Sequence, residues 1–519
     1  MLKPPKVKQN LSDKNLIDKI VNVFAPVHGI RRARARMTLA FLNSYDGASK
    51  TRRALKQWAT MGNDADSDIL GDLETLRERS RDLGRNNPLA VGALKTKLTH
   101  VVGTGMRLQA RIDRDILGYT DEAADAWEAT TQREWRLFWD SKDVDLARTL
   151  TGTGLLRMAY SQEKANGDVF ILLPRVKRPG VPYDLCLQII EADRVCNKDN
   201  ETDTAKLSGG IEKDQYGAPE NYHILKRHPG SIAAPGEDWE IIKAFGEKTG
   251  LRNILHLYNP TRPGQSRGVP DLAPVIELFK QLGRYSDAEV MAAVISSYFT
   301  IFIESDTPVG GFDYSNIGGE TNAAAADKDY KMGPGMIVEM EGGDKVHDAN
   351  PGRPNANFDP FVLAIMRQIG AALEIPFEIL IKHFTKSYSA ARASLLEFFR
   401  YVTTERKFLT DNFLKPVYEI WMYEAVATGR ISAPGFFNDP ALKAAYLNAD
   451  FIGTTKGQID ELKEVKAAKA RIDAKLSTLE QETTELTGQD WEKNHTQQVK
   501  ERKKQIKDGL IEGDEPDEE

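Results

Sequence analysis

Only two cysteines occur in 519 residues, Cys186 and Cys196, and the nine residues between them look like a strand and its end. Neither a disulfide framework nor a CxxC metal or redox site is available, so stability must come from packing or assembly. Long hydrophobic runs are missing too. No stretch reaches the about 18 consecutive apolar residues of a membrane span; the best attempt, 290–303, is broken by Ser296, Ser297 and Thr300. The N-terminus carries Lys3, Lys6 and Lys8 but no apolar stretch ending in a small-residue cleavage site. That argues against a secretory signal, and for synthesis and assembly in the cytoplasm without a membrane partner.

Patterns that carry chemistry are equally sparse. The eight histidines are scattered. His223 and His228 lie five apart without an HExxH spacing or cysteine companions, so they read as satisfied histidines and no metal is expected. "TGTGLLR" from Thr151 offers two of the three glycines of a dinucleotide fingerprint and follows no good strand. In "FGEKTG" from Phe245, Glu247 interrupts the Gly-Lys-Thr run of a phosphate loop with a carboxylate that would repel phosphate. There is no G-x-S-x-G elbow, and Glu397 and Glu405 read as ordinary helix-surface carboxylates. No catalytic residue and no cofactor are expected, and the chain does not read as an enzyme.

What is present is a long, wet, globular chain. Its length suggests two to four domains. An apolar share of 41%, a charged share of 28% and a mean hydropathy of −0.45 lie in the ordinary soluble range. The net charge of −6 is unevenly spread. Arg31, Arg32, Arg34, Arg36, Arg52, Arg53 and Lys56 make the N-terminal arm basic, whereas "EGDEPDEE" ends the chain on acid. Such runs are solvated tails, or arms that touch nucleic acid or a charged partner.

Residues 1–66 read as a flexible arm closing on the turn cluster "GNDADSD". A helix then opens with Asp68 as cap and Leu70, Leu73 and Leu76 as its stripe; the Arg-Asn-Asn run breaks it before a second, antiparallel helix from Pro88. "GDVFILLPRV", "LCLQIIEADRVC" and "GGIEKDQYGAPENYHILKRH" give a small sheet region over about 150–260. The stiff, basic loop "NPTRPGQSRGVP" leads into a helical stripe of Leu272, Val275, Ile276, Phe279, Leu282 and Val290 running to about Ile303. That would be a rod of roughly 50 Å. A Gly-rich insertion with a short strand "GMIVEM" separates it from a helix capped by Asp359 with Pro360 first. A longer helix from about Ser389 is expected to bend at Pro416 and end at Gly429. Charged helices close the chain, with Ser477 and Glu480 at capping-box spacing and Asp490 as a further cap. The fold class is α+β, mainly helical.

Several blocks in one order carry a resemblance. "RSRDLGRNNPLAVGAL", "HVVGTGMRLQA", "LQIIEADRV", "NILHLYNPTRPGQSRGVPDLAPVIELFKQLGRYSDAEVMAA", "ALEIPFEILIKHFTKSYSAARASLLEFFR" and "IDELKEVKAAKARIDAKLSTLEQETTELTGQDWEK" resemble lambda-type bacteriophage portal proteins over about residues 70–495. The chain departs from that family at Glu461, where the family carries Pro, and at Lys475, where it carries Gly.

The resemblance implies a portal fold with wing, stem, clip and crown regions, closing into a ring of about twelve subunits at one capsid vertex. It divides the chain into an arm (1–66), wing (67–270), first stem helix (271–303), clip (304–357), second stem helix (358–375), channel loop (376–388), long wing helix (389–432) and crown with tail (433–519). Implied partners are the terminase large subunit, head-completion or connector proteins, the major capsid and scaffold proteins, and double-stranded DNA passing through without sequence preference. The implied location is the virion's portal vertex.

Lys382, His383 and Lys386 of the channel loop become candidates for intermittent phosphate contact. Arg262, Arg267, Arg284 and Arg392 become candidates for contacts at the stem entry or with neighbouring subunits. A non-ring capsid adaptor or scaffold and, more distantly, an ATP-hydrolysing packaging subunit are the competing readings. The second lacks a phosphate loop and an acidic strand end for Mg²⁺.

Overall fold

The computed structural model describes residues 46–49, 52–232, 238–297, 301–304, 345–348, 357–383, 388–455, 457 and 460–511, with Val27 and Arg31. Residues up to Asp64 form one compact unit and Ala65 onward another. In the first, Asp46–Ala48 make a single 3₁₀ turn, and Lys56 N–H donates to the Arg52 carbonyl. The helices and sheets of the fold belong to the second.

It opens with helix α1, Ala65–Asn86, and helix α2, Pro88–Val101. Asp68 does not cap: the helix has already begun, and Asp66 and Asp68 lie in its first turn, free to bond elsewhere. Asn87 fulfils the break predicted before Pro88, accepting from the N–H groups of Leu89 and Ala90 while proline takes the first helical position. Strand β1, Arg107–Ala110, and helix α3, Asp121–Trp139, lead to helix α4, Gly152–Asn166. Gly152 belongs to packing rather than to a nucleotide fold, because a Cβ there would lie 2.2 Å from the Trp139 ring.

Helix α4 packs on a three-stranded antiparallel sheet in the order β3-β2-β8, formed by β2 Asp168–Leu172, β3 Gln188–Ile190 and β8 Ile254–Tyr258. The central strand is the apolar run "VFI", buried on both faces as such a run requires. A four-stranded antiparallel meander follows in chain order: β4 Leu207–Ser208, β5 Ile211–Lys213, β6 Pro219–Leu225 and β7 Trp239–Lys243. The turn between β5 and β6 is set by Asp214, whose carboxylate accepts from the N–H groups of Tyr216 and Ala218. Phe170, Ile190, Val195, Ile211, Tyr222, Ile224, Ala244 and Ile254 make a core common to the two sheets.

The expected 50 Å rod is shorter. Pro270 and Pro274 hold 270–275 as turns and a 3₁₀ segment, so helix α5 runs from Ile276 to Ser297, roughly 33 Å. Ile301–Glu304 is strand β9, paired antiparallel with β10, Lys345–Asp348. "GMIVEM" and most of the Gly-rich insertion lie outside the described residues. Helix α6, Phe358–Ala372, starts one residue before Asp359 with Asn357 in the cap position, and ends three residues short of 375.

The one-turn helix α7, Phe377–Leu380, precedes α8, Tyr388–Leu409, a five-residue π-type turn at Thr410–Leu414, and α9, Lys415–Ala427. Pro416 explains the break: it offers no N–H to the preceding turn, and the helix widens just before it. Gly429 ends the run at φ 73°. Around α3 and α9 lies an aromatic core in which Trp135 stacks on Trp139 at 5.0 Å and meets Trp421 edge-on at 5.1 Å, with Tyr418, Phe138 and Tyr183 around them.

After α10, Pro440–Leu447, strand β11, Ala449–Ile452, pairs with β1. The chain ends in α11 Glu461–Asp473, α12 Leu479–Thr487 and α13 Trp491–Lys507. Helix α12 is capped by Thr478, which accepts from Gln481 N–H, and not by Ser477; Asp490 caps α13 as expected. Both departures from the family fall at helix boundaries. Glu461 is the first residue of α11, where proline is favoured, and Lys475 follows its C-cap at φ 57°, a left-handed position that favours glycine.

Candidate functional site

The loop 259–270 is tied into the subunit at every turn. Gln265 Oε1 accepts from Thr261 N–H, and its amide donates to the Arg267 carbonyl. Asp66 accepts from Ser266 N–H at 2.7 Å and pairs with Lys213 at 3.1 Å, and Asp68 pairs with Arg262 at 2.5 Å. Gly268 and Gly167 let two backbones touch: a Cβ on Gly268 would lie 1.9 Å from the Gly167 carbonyl oxygen. That contact brings Arg267 to Asp168 at the start of β2.

Asp168 is wholly buried and collects five donors. Its Oδ1 accepts from Arg77 Nη2 (2.8 Å) and Arg267 Nη2 (3.2 Å); its Oδ2 accepts from Arg267 Nε (2.6 Å), Gly268 N–H (3.2 Å) and His256 Nε2 (3.3 Å). Burial alone would raise this carboxyl, but the two guanidiniums overcome it and hold the acid far below the carboxylate range. Burial lowers His256, so its imidazole is neutral and donates through Nε2, stacked between Phe170 at 4.2 Å and Tyr258 at 4.1 Å. Burial likewise brings Arg77 down to about 10.

Arg267 spends its remaining donors on the carbonyls of Val195 (2.6 Å), Gly209 (2.7 Å) and Ala192 (2.8 Å). All five of its N–H groups are engaged, at 2% exposure. With every N–H spent inside the subunit, Arg267 has none left for a neighbour or DNA, against that half of the expectation; its contacts are those of the stem entry, where it locks both sheets and α1 together from inside. Arg262 lies on the surface against Asp68, Arg284 is exposed on α5, and Arg392 is exposed on α8 beside His100, Lys463 and Arg471.

A second ionic cluster fixes the foot of α5. Asp271 pairs with buried Lys97 at 2.6 Å, and its N–H donates to the Lys164 carbonyl. Lys164 in turn lies 2.8 Å from Glu405 and 3.3 Å from Glu163. Glu405 is thus buried, at 8% exposure, and not the surface carboxylate its helical setting suggested. Burial raises Glu163 to about 7, and the neighbouring Glu405 and Asp271 carboxylates further oppose ionising a third acid beside two cations. Tyr160 and Tyr401 close the cluster, their hydroxyls 3.4 Å apart.

Beyond this foot α5 pairs with α6. Tyr285 stacks on Phe358 at 5.5 Å and meets Phe361 edge-on at 5.0 Å. The outer part of the pair leaves apolar side chains in water: Val290 is 65% exposed, Met291 60% and Phe361 50%.

The expected channel loop begins in a tight anchor. Gly370 accepts Ile375 N–H, and a Cβ there would meet the Ile375 carbonyl at 2.7 Å. Glu378, buried on α7, accepts from Ser394 of "SYSAARAS", and His383 N–H donates to the Glu378 carbonyl. Lys382, at φ 54°, and His383 are both exposed on the turn that follows, whereas Lys386 lies outside the described residues. Outside the loop, His223 is held by Glu212 at 2.8 Å and His228 by Asp193 at 3.1 Å, each in an ordinary pairing. Sequence reasoning missed Asp168, Arg77, Lys97 and Glu163. The one available signal was four charged residues next to apolar or helical runs that leave them little access to water.

A body locked by buried ions, carrying paired helices with a bare apolar face, defines an assembly subunit. Residues 51–406 match the family described as phage portal protein, lambda family, and the chain belongs to that family of portal proteins. It is 26% identical over 487 residues to portal protein B of Escherichia phage lambda, covering 90% of each chain. It is 25% identical over 477 residues to the portal protein of Escherichia phage N15, covering 88% of this chain and 89% of the relative. Among solved structures, a chain of the native gene transfer agent virion overlays at 14% identity and a TM-score of 0.42, covering 84% of this chain and 98% of that one.

Proposed function

We propose that this portal protein acts as one segment of a closed ring of about twelve copies, set at a unique capsid vertex, through which double-stranded DNA is packaged and later released. The carrying observation is the apolar face of α5 and α6, where Val290, Met291 and Phe361 lie together in water. A neighbouring copy presenting the same helices would cover it, and a rotation that closes produces a ring. The net charge of −6 per chain suits passage rather than capture, since duplex DNA carries about one negative charge per 1.7 Å. Lys382 and His383, both exposed on the turn after α7, would make passing contacts with phosphate in a ring that turns this loop inward.

The terminase large subunit would engage one end and head-completion proteins would replace it, with the segment 304–357 as their common seat. Host-cytoplasm assembly with capsid and scaffold proteins follows from the same reading. Negative-stain microscopy with native mass spectrometry of the purified chain tests it. A ring with a hole wide enough for a duplex and a mass near twelve chains is expected; an open filament would overturn the closed channel. Deleting 310–320 should then abolish packaging and leave rings intact.

A further inference from the structure

Helix α13 stands apart from the rest of the subunit: none of its residues from Trp491 to Lys507 is buried. It docks through its first turn, where Lys493 reaches Gln132 Oε1 at 3.0 Å and Asp490 at 3.5 Å. At 100° per residue, Lys493, Lys500, Lys503, Lys504 and Lys507 fall within an arc of about 100°. Neither acid of the helix, Glu492 or Glu501, lies within that arc. Trp491, His495, Val499 and Ile506 occupy the adjoining arc. Lys500, Lys503, Lys504 and Lys507 are exposed and form no ion pair among the described residues.

Cations in the last turn favour a helix C-terminus, which accounts for Lys504 and Lys507. It does not account for Lys500 and Lys503, nor for the gathering of every lysine on one side. A solvated helix would disperse its charges, because like charges three and four apart destabilise it. Such a ridge costs helix stability unless an anion offsets it.

We propose that the lysine face of α13 is a contact site for the phosphate backbone of duplex DNA, separate from the loop at Lys382 and His383. Lysine ammoniums attract phosphate as point charges without demanding a bidentate geometry, which suits DNA that is held or slid rather than read. The local sign of charge decides such contact even on a chain whose net charge is negative. The site rests on the portal reading for its access to DNA. The competing occupant is the acidic stretch from Glu512 to Glu519.

The test compares two full-length variants with equal change in net charge: K500E/K503E/K504E/K507E, and K142E/K177E/K206E/K248E, whose lysines are exposed elsewhere. Binding of a fluorescent 30-base-pair duplex is followed by anisotropy between about 0.05 and 0.2 M salt, on chains whose assembly has been checked by microscopy. The ridge variant should lose at least about tenfold in affinity near 0.1 M salt, and its logarithmic salt slope should fall by about three. The control should keep both within about twofold. Equal losses in the two variants would overturn the proposal, as would a wild-type chain that does not bind the duplex. Unchanged DNA binding by the ridge variant, with its residues 512–519 newly sensitive to protease, would assign the ridge to the acidic tail and overturn it too. Rings that close normally in any of these cases leave the portal reading standing, so the two failures are distinguishable.

Discussion

Replacing Arg267 by alanine removes the centre of the buried network and separates two readings of this residue. In the folded chain the change strands three carbonyls, on Ala192, Val195 and Gly209, and takes two hydrogen bonds and a full charge from Asp168, which has no access to water. Breaking a buried pair by removing one partner costs about 3–5 kcal/mol. Arg77 remains 2.8 Å from the carboxylate and moves the expectation toward the lower figure. At about 2–4 °C per kcal/mol for cooperative units of this general size, the unfolding midpoint should fall by about 6–12 °C.

Arg267→Lys should recover less than half of that loss, since three donors on a flexible stem cannot reach five acceptors set around a plane. Arg262→Ala, which opens a pair with both side chains about two-fifths exposed, should cost no more than about 1 kcal/mol. Thermal unfolding of the unassembled chain, followed by circular dichroism, makes the comparison. If Arg267→Ala unfolds within about 2 °C of the parent chain yet fails to assemble, the network is not what holds the wing, and the residue faces a neighbour after all.

Glu163 gives a pH dependence whose sign is fixed by a carboxyl raised from 4.5 to about 7. Its favourable protonated state is fully present below about 4.5, and stability falls as pH rises through 7, by up to about 3 kcal/mol. Denaturant titrations at pH 5 and 8 should show that decline, and Glu163→Gln should flatten it. Lys475→Gly should raise stability by about 1 kcal/mol by relieving a left-handed side-chain position, read as a higher midpoint for the C-terminal helices. Val290→Asp with Met291→Asp should leave the monomer's unfolding unchanged, because both side chains are already in water, while sedimentation shows rings replaced by smaller species. Rings of undiminished stability would place the subunit interface elsewhere.

What could be read from the sequence was whatever is coded locally. Asn87-Pro88, the break before Pro416 and the Asp490 cap each depend on a few neighbouring residues, and each lies where its chemistry puts it. Boundaries shifted where two neighbours compete for one role, as Thr478 displaced Ser477. The first stem helix was overdrawn because an apolar stripe has the same spacing whether or not prolines break its start. Periodicity registered Leu272 and Val275; it gave no weight to Pro270 and Pro274.

The buried ions were beyond local reading for a different reason. Arg77, Asp168 and Arg267 meet across separations of 91 and 99 residues, and nothing near any one of them announces the others. A loop with Arg262 and Arg267 therefore reads as basic surface, whereas one of the two cations is aimed inward. The division follows from the glycines: Gly268 touching Gly167 draws residue 267 under the sheet, and Arg262, five residues earlier, stays at the rim with Asp68. Both ionic clusters flank the loop and the first turns from which α5 leaves the body, and further along that helix Val290 and Met291 are exposed. Apolar packing alone would let that helix pivot among nearly equal arrangements, whereas charges buried with a full set of partners tolerate one geometry and penalise the rest. If α5 must present its face to two neighbours at once, a fixed departure angle is what a closing rotation requires, and the buried carboxylates at its foot supply that constraint.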